Sequence, residues 1–559
     1  MAKKYTNKEV LKMEKEAKKK AKELHHVKLG EEKKLRIQIL EKVATYIKEN
    51  RRVPSRQALA SIGISKDQYR RQFTTIANMI EQVVDFDPLV LDYILTGEQI
   101  FTPEMVNRTE KLVKNKKRFI ITTAVTGMPV NEAFFNSIKY YCQVNNAGLL
   151  ILPTTDPAAA VPFELDPILK DEAIIIQDIN INDNLMVSTF QTSAKQINTL
   201  TGLRRVGERE RSMIVASPKQ FVEYVPVLNP EGCHALLTTG AITTPEYLST
   251  DKYMSLRTAW LADKDHEMGG IIVEVESDKI FHFRPFQCGA DGSFIDLGVR
   301  YTAKSKSTRR PEAIVLGDIH VGSIDKDVYK STNRILRQLQ PKRVFLHDVF
   351  DGVSCNPHAS MQYLTQAQLK DKLSIEKELH LNGKYLTHLR EKHPYVEEWI
   401  VVRSNHDIFL DRYLDGGDYI QDPTNFEICH KLALKKMRGE IPFKAGLEEL
   451  GFDLTKINFL DEDESYRIHG FECGQHGHRG SNGVRNPSNA GLEVAYGKGV
   501  FGHSHTGGKL RKIFRVGTST RYKLGYNKGA SSWTHTLCIV NEDGTAQLVN
   551  DIKGKWRLK

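Results

Sequence analysis

No stretch of this 559-residue chain approaches the ~20 consecutive apolar residues that a membrane-spanning helix needs, so no membrane partner is expected. Cysteine is scarce and scattered: seven residues, at 142, 233, 288, 355, 429, 473 and 538, without a Cys-x-x-Cys pair. An odd, dispersed set argues against a disulfide scaffold and for reduced thiols in a cytoplasm. Cys473-Gly-Gln-His476 has the spacing of a mixed metal site, but a small buried thiol is the expected role of Cys473. The phosphate-cradling loops Gly-x-Gly-x-x-Gly and Gly-Lys-Ser/Thr are absent, which leaves Thr126-Gly127 as a place where a phosphate could dock at a helix start. The opening Met-Ala-Lys-Lys-Tyr is basic with no apolar core behind it, so no secretory signal is read and a cytoplasmic location is expected.

What is present is a chain too long for one core, with two to four domains expected. At 40% hydrophobic and 27% charged residues it has the composition of an ordinary soluble protein. Charge is informative once located. Residues 1–60 carry 18 Lys/Arg against 8 Asp/Glu, and residues 507–559 carry 11 against 3. The chain total is +11, so the stretch between them is net −7. Basic ends around an acidic middle suggest a polyanionic partner, drawn in by steering and counterion release. For residues 1–30 alone, a solvated basic tail explains the charge as well.

Four segments follow from the patterning. Residues 1–34 read as a basic tail, disordered or helical. Residues 35–110 read as helical: Leu35, Ile39, Val43 and Ile47 recur every four residues, Pro54 breaks the pattern, and Ser55 caps a second helix from Arg56 to Ser61. Gly63 makes a turn and Ser65 caps a third helix with Tyr69, Phe73, Ile76 and Ile80 inward and Lys66, Arg70 and Arg71 near its start. That order is helix-turn-helix-like, with Lys66, Arg70 and Arg71 as DNA-binding candidates; a generic three-helix cap is the alternative. Residues 115–305 read as a separate α/β domain of unknown role, with strands at 118–125, 149–152, 174–176, 213–216 and 236–239, a helix at 131–142 and a hairpin at 271–283. Tyr301–Arg310 reads as a polar linker, and residues 311–559 as a further α/β domain.

That last segment holds five polar clusters in order. They are Gly-Asp318-Ile-His320, His347-Asp348-Val-Phe-Asp351, Ser-Asn405-His406-Asp407, Gln-His476-Gly-His478-Arg479 and Gly-His503-Ser-His505. Most follow a short apolar run, which places them at the C-terminal ends of buried strands, where α/β sheets bind ligands. In Asp318-Ile-His320 the spacing of two predicts an extended segment with both side chains on one side. Carboxylate, amide and imidazole together suit Mn²⁺, Fe²⁺ or Zn²⁺, and two such ions would need a bridging anion, for which Asp348 is placed. His406 is the candidate proton donor, with Asp407 expected to fix its tautomer; both are candidate catalytic residues. His347, Asp351, His478 and Arg479 are expected to contact phosphate or to support the ligands.

The order Asp-x-His, Asp-x-x-Asp, Asn-His-Asp, His-Gly-His and Gly-His-x-His resembles the calcineurin-like metallophosphoesterase family over about residues 311–550. The resemblance implies a four-layer αββα sandwich holding two divalent ions, Mn²⁺ foremost with Fe²⁺, Mg²⁺ or Zn²⁺ as alternatives. It implies that Asp318, His320, Asp348 and His505 hold one ion, that Asp348, Asn405, His476 and His503 hold the other, and that His406 is the catalytic histidine. Two departures stand out: His347 and Ser404 occupy positions where the family usually has Gly.

Asp348-Val-Phe-Asp351 looks like the SbcD-type DNA nucleases, and the whole layout is similar to the early DNases that some tailed phages inject to degrade host DNA. The expectation is a two-metal DNase acting on phosphodiester bonds, in the host cytoplasm if phage-encoded. A small-substrate (nucleotide) phosphodiesterase or phosphatase is the alternative within the enzymes. A DNA-binding scaffold with a non-catalytic metal site is the alternative outside them. SbcD-type nucleases dimerise, so the resemblance also implies a homo-oligomer, with residues 35–305 as the place for self-association.

Overall fold

The computed structural model describes residues 30–49, 54, 56–73, 76–90, 103–154, 165–192, 196–203, 211–228, 234–247, 256–524 and 527–558. The chain divides into two compact units, residues 1–102 and 103–559.

The first unit is helical. A helix over residues 30–49 is followed by Arg56–Ser61, Lys66–Phe73 and Ile76–Phe86. Ile39, Val43 and Ile47 bury one stripe of the first helix against Leu59, Ile64, Tyr69, Phe73, Met79 and Val83. Gly63, at φ 76°, turns the chain between the two short helices. Ser65 and Gln68 then form a reciprocal cap: Gln68 N–H donates to Ser65 Oγ at 3.2 Å and Ser65 N–H to Gln68 Oε1 at 2.8 Å. The single third helix expected through Ile80 is two helices, Lys66–Phe73 and Ile76–Phe86. Lys66, Arg70 and Arg71 are exposed, opposite buried Tyr69 and Phe73. Ser55, the side chain of Ile76 and the tail before residue 30 lie outside the described residues.

The second unit is mixed α/β and begins with the helix Pro103–Asn115. A six-stranded sheet runs in the order Ile457–Phe459, Glu398–Val401, Arg343–Leu346, Ala313–Val315, His535–Val540, Ala546–Asp551, with the first four strands parallel. Ile314, Val344, Leu346, Trp399 and Val401 on one face pack on the helices Lys326–Leu339, Ile375–Lys392, Asn405–Asp415, Phe426–Met437 and Pro442–Glu449. Val315, Phe345, Ile400 and Cys538 on the other face join Phe471, Cys473, Val500 and Phe514 of a second sheet. Leu492 of the helix Asn489–Tyr496 covers Phe501 and Ile513 of that second sheet. Cys473 thus lies in the core between the sheets, and the six cysteines among the described residues are all free.

The second sheet has ten strands and crosses the boundary expected near residues 305–311. Gly508–Leu510 pairs antiparallel with Phe221–Tyr224, which joins strands at 467–515 to strands at 179–238. The buried ammonium of Lys509 donates to Gln220 Oε1 at 2.5 Å and to both Glu267 oxygens at 2.7 and 2.8 Å across the join. Residues 115–305, expected as a domain apart, therefore share a sheet and a core with the C-terminal half. Five of their strands form a separate sheet, with Arg118–Val125 between the parallel Gly148–Thr154 and the antiparallel Gly269–Val275, whose hairpin partner is Phe281–Gln287. The expected linker at 301–310 is also structured. Val299–Tyr301 and Lys306–Thr308 pair within a three-stranded sheet, and the exposed Lys and Ser of the last strand gave it the polarity of a loop. Among the described residues no helix is long and apolar enough to cross a membrane.

Candidate metal centre

The five clusters sit at the C-terminal ends of strands from both sheets. Asp318 and His320 follow Ala313–Val315, His347 and Asp348 follow Arg343–Leu346, and Asn405 opens the helix after Glu398–Val401. From the second sheet, His476 follows Phe471–Glu472, and His503 and His505 follow Gly499–Phe501. Main-chain bonds lock the loops together. Ile319 N–H donates to His347 O, His320 N–H to Asp348 O, and Gly502 N–H to His476 O.

The segment carrying Asp318 and His320 is not extended throughout, as the spacing predicts. His320, Asp348, His503 and His505 all adopt left-handed backbone, with φ of 46°, 46°, 73° and 56°. Side chains with a Cβ adopt that region rarely and at a cost of order 1–3 kcal/mol each. Four such residues facing one another mark backbone held for what the side chains do. Gly502 is needed for the same closeness: a Cβ there would lie 2.3 Å from Asp318 Oδ1.

The side chains converge. His320 Nε2 lies 3.1 Å from His505 Nε2 and 3.5 Å from Asp348 Oδ2, and His505 Nε2 lies 3.3 Å from Asp318 Oδ2. On the other side of Asp348, His476 Nε2 is 3.2 Å from Asp348 Oδ2 and 3.1 Å from Asn405 Oδ1. His503 Nδ1 is 3.0 Å from Asn405 Oδ1. All seven expected ligands therefore share one focus, with Asp348 between two groups of donors.

Asp318, His320, Asp348, His476 and His505 are buried, and their protonation follows from that. Burial holds the imidazoles of His476 and His505 well below the usual range, so both are neutral and able to offer a lone pair. Burial also lowers His503. Burial alone would raise Asp348, but the neighbouring imidazoles of His476, His406 and His320, the first within hydrogen-bond reach, hold it well below the usual carboxylate range. Asp318 is held well above that range by burial and by the charge of Asp348. Burial opposes the charged form of His320, yet the Asp351 hydrogen bond and the Asp348 charge raise it to about 9.

This donor set fits a divalent cation. Both oxygens of Asp318 and Oδ1 of Asp348 are buried without a hydrogen-bond partner, an arrangement that is costly unless something else satisfies them. Among the described residues, Asp318, Asp348 and His505 bring one ligand atom each within 4.8 Å of one another, as do His320, Asp348 and His406, and Asp318, His347 and His476. Neutral imidazoles, carboxylates and an amide oxygen are ligands of Mn²⁺, Fe²⁺ or Zn²⁺ rather than of a soft, thiolate-seeking metal.

The neighbours of the ligands depart from the sequence reading in part. Asp407 does not reach His406. Its Oδ2 accepts the Ser404 N–H at 2.8 Å and the Ser404 hydroxyl at 3.0 Å, completing a capping box at the start of Asn405–Asp415. Burial pushes its carboxyl up to about 7, against the pull of nearby Arg403. The ring of His406, 18% exposed, donates instead from Nδ1 to the Asp351 carbonyl at 2.6 Å. Asp351 also accepts from His320 Nδ1 at 3.0 Å. His347 is fully buried behind His476, out of reach of any substrate. Neither ring nitrogen of His478 has a hydrogen-bond partner, and its ring stands 5.5 Å from that of His476 and 6.0 Å from that of His503. Arg479 pairs with Glu462.

Three neighbours carry no local signal in the sequence. Asn486 Oδ1 accepts from His503 Nε2 at 2.6 Å, which leaves Nδ1 as the nitrogen free to bind. Glu378, inside the helix Ile375–Lys392, accepts the Gly352 N–H at 2.6 Å and so braces the loop that carries Asp351. Trp533 lies against His505, with ring centroids 4.3 Å apart.

Over 480 residues the chain is 27% identical to "Protein A1" of Escherichia phage T5, covering 79% of this chain and 83% of that protein. The similarity ties the chain to a phage protein along most of its length. No protein-family model matches the chain, and no solved structure matches it significantly.

Proposed function

We propose that the chain is a metal-dependent nuclease that hydrolyses DNA phosphodiester bonds at this centre, in the degradation of host DNA by a phage. The observation that carries the reading is the convergence of seven ligand-type side chains from five separate loops on one focus around Asp348. In this reading the paired sheets with helices outside both are the αββα sandwich that the motif order implies. Asp318, His320, Asp348 and His505 would hold one ion, and Asp348, Asn405, His476 and His503 the other, most simply Mn²⁺. Two bound ions would supply a hydroxide nucleophile at neutral pH and offset charge on the phosphate.

The protein's own part is orientation and proton transfer. With Nδ1–H committed to the Asp351 carbonyl, His406 in its imidazolium form would donate the Nε2 proton to the departing 3′ or 5′ oxygen and be left as the neutral Nδ1–H tautomer. Its position at the N-terminal turn of Asn405–Asp415 adds the partial positive charge of a helix start beside the phosphate. His478, whose two ring nitrogens are buried without a hydrogen-bond partner beside His476 and His503, would support those two ligands. The basic ends and the exposed Lys66, Arg70 and Arg71 favour DNA over a small ester, and the similarity to a phage protein agrees with action in a host cytoplasm. A homo-oligomer remains part of this proposal through the SbcD-type resemblance.

The test is incubation of the purified protein with linear and circular DNA in Mn²⁺, Mg²⁺ or EDTA. Cleavage with metal and none with EDTA is expected. Turnover of bis-p-nitrophenyl phosphate with both DNA forms intact would assign the centre to a small ester instead. Binding of DNA without hydrolysis of either substrate would make the protein a scaffold.

A further inference from the structure

His347 is fully buried, and its ring centroid is 5.4 Å from that of His476. The two Nδ1 atoms face each other at 3.3 Å. His476 turns its other nitrogen into the centre, 3.2 Å from Asp348 Oδ2 and 3.1 Å from Asn405 Oδ1. A cation at that place needs the lone pair of Nε2. A neutral imidazole carries one proton, so the proton of His476 must then reside on Nδ1 and find an acceptor there. Asp318 Oδ1, at 4.0 Å, is beyond hydrogen-bond range; His347 Nδ1 is within it.

We propose that His347 is a positioning residue of the metal centre, whose Nδ1 accepts the Nδ1–H of His476 and fixes the tautomer that presents His476 Nε2 to a cation. The inference rests on the metal-centre reading above and adds a residue to it.

Two further observations support it. Accepting at Nδ1 puts His347's own proton on Nε2, which is buried with no hydrogen-bond partner. An unpaired buried N–H costs free energy that an apolar side chain in the same place would avoid, so packing alone gives no reason for a histidine. The ring is held firmly: a Cβ added at Gly502 would lie 3.1 Å from His347 Cγ and 2.3 Å from Asp318 Oδ1, so these groups leave one another no slack. Partners that orient a metal-bound histidine in this way are typically worth about 10–100-fold in metal affinity.

The test compares full-length wild type with His347→Leu and His347→Asn, each stripped with EDTA and titrated with Mn²⁺ by calorimetry. The Asn side chain keeps an acceptor near the position of Nδ1. His347→Leu is expected to weaken one Mn²⁺ step by about 10–100-fold. His347→Asn is expected to recover most of that loss, with the same number of ions at saturation. His347→Ala carries the expectation of the Leu variant should that variant not fold. A second readout separates positioning from packing: the rise in Tm on adding Mn²⁺ shrinks in the Leu variant and returns in the Asn variant. Equal Mn²⁺ affinity in wild type and His347→Leu overturns the inference. Loss of a whole equivalent of Mn²⁺ in both variants overturns it too, by making His347 a direct ligand. Absence of Mn²⁺ binding by the wild type overturns the metal-centre reading together with it.

Discussion

Asp351 holds two histidines of the centre at once: its carbonyl takes the Nδ1–H of His406 at 2.6 Å, and its carboxylate meets Nδ1 of His320 at 3.0 Å. One residue thereby orients His406, the proposed proton donor, and His320, a proposed metal ligand, and Glu378 braces its loop.

His406→Gln is therefore expected to lose DNA cleavage by about 10²–10⁴-fold, the usual worth of a positioned acid. Mn²⁺ binding, measured by calorimetry on the same preparation, is expected to stay within a few-fold of wild type. Cleavage at the wild-type rate would remove His406 from the chemistry.

Glu378 is a buried carboxyl pushed up to about 8 by burial and by the charge of Asp351. The folded chain holds this proton more tightly than the unfolded chain, whose value is near 4.5. Stability from this group is thus fully present below about 4.5 and is lost as pH rises through about 8. Glu378→Gln keeps an oxygen for the Gly352 N–H and removes the titration. Denaturant unfolding of the metal-free proteins at pH 5 and pH 8.5 is expected to show the variant gaining on wild type by on the order of a few kcal/mol at the higher pH. A pH-independent difference between the two would contradict this.

Lys509, on a strand of the ten-stranded sheet, pairs with Glu267, just before the strand Gly269–Val275 of the five-stranded sheet, and is itself buried. Glu267→Ala is expected to destabilise the fold by about 3–5 kcal/mol, because it leaves an ammonium buried without its counter-charge. The double variant Lys509→Met, Glu267→Leu is expected to recover most of that. Urea unfolding reads both, and an unaffected single variant would mean that Gln220 suffices alone.

In the helical unit, Arg70→Glu with Arg71→Glu is expected to weaken DNA binding across all sequences. The slope of log K against log salt is expected to become shallower by about 1 for each phosphate that is no longer neutralised. Fluorescence anisotropy with a labelled duplex at several salt concentrations checks it. An unchanged slope would assign those helices to packing or assembly rather than to DNA.

The ligand loops were legible because each is local: a short apolar strand followed at once by Asp, Asn or His is visible within ten residues, as in Ala313 to His320. Roles that depend on distant partners were not. Asp407 sits three residues after the N-cap Ser404, a position that serves capping as readily as catalysis, and only the fold shows its carboxylate turned to Ser404. The partner it was expected to supply to His406 is instead a main-chain carbonyl, which every residue possesses and no sequence pattern marks. The join within the ten-stranded sheet pairs Gly508–Leu510 with Phe221–Tyr224, strands far apart in the chain, so a polar stretch between two periodic segments read as a domain boundary.

The most direct measurement is anomalous diffraction from crystals of the protein grown with Mn²⁺. Two peaks about 3.5–4 Å apart are predicted. One lies among Asp318, His320 and His505, the other among Asn405, His476 and His503, with Asp348 touching both. No peak at this place, or Mn²⁺ bound only elsewhere on the chain, would contradict the account.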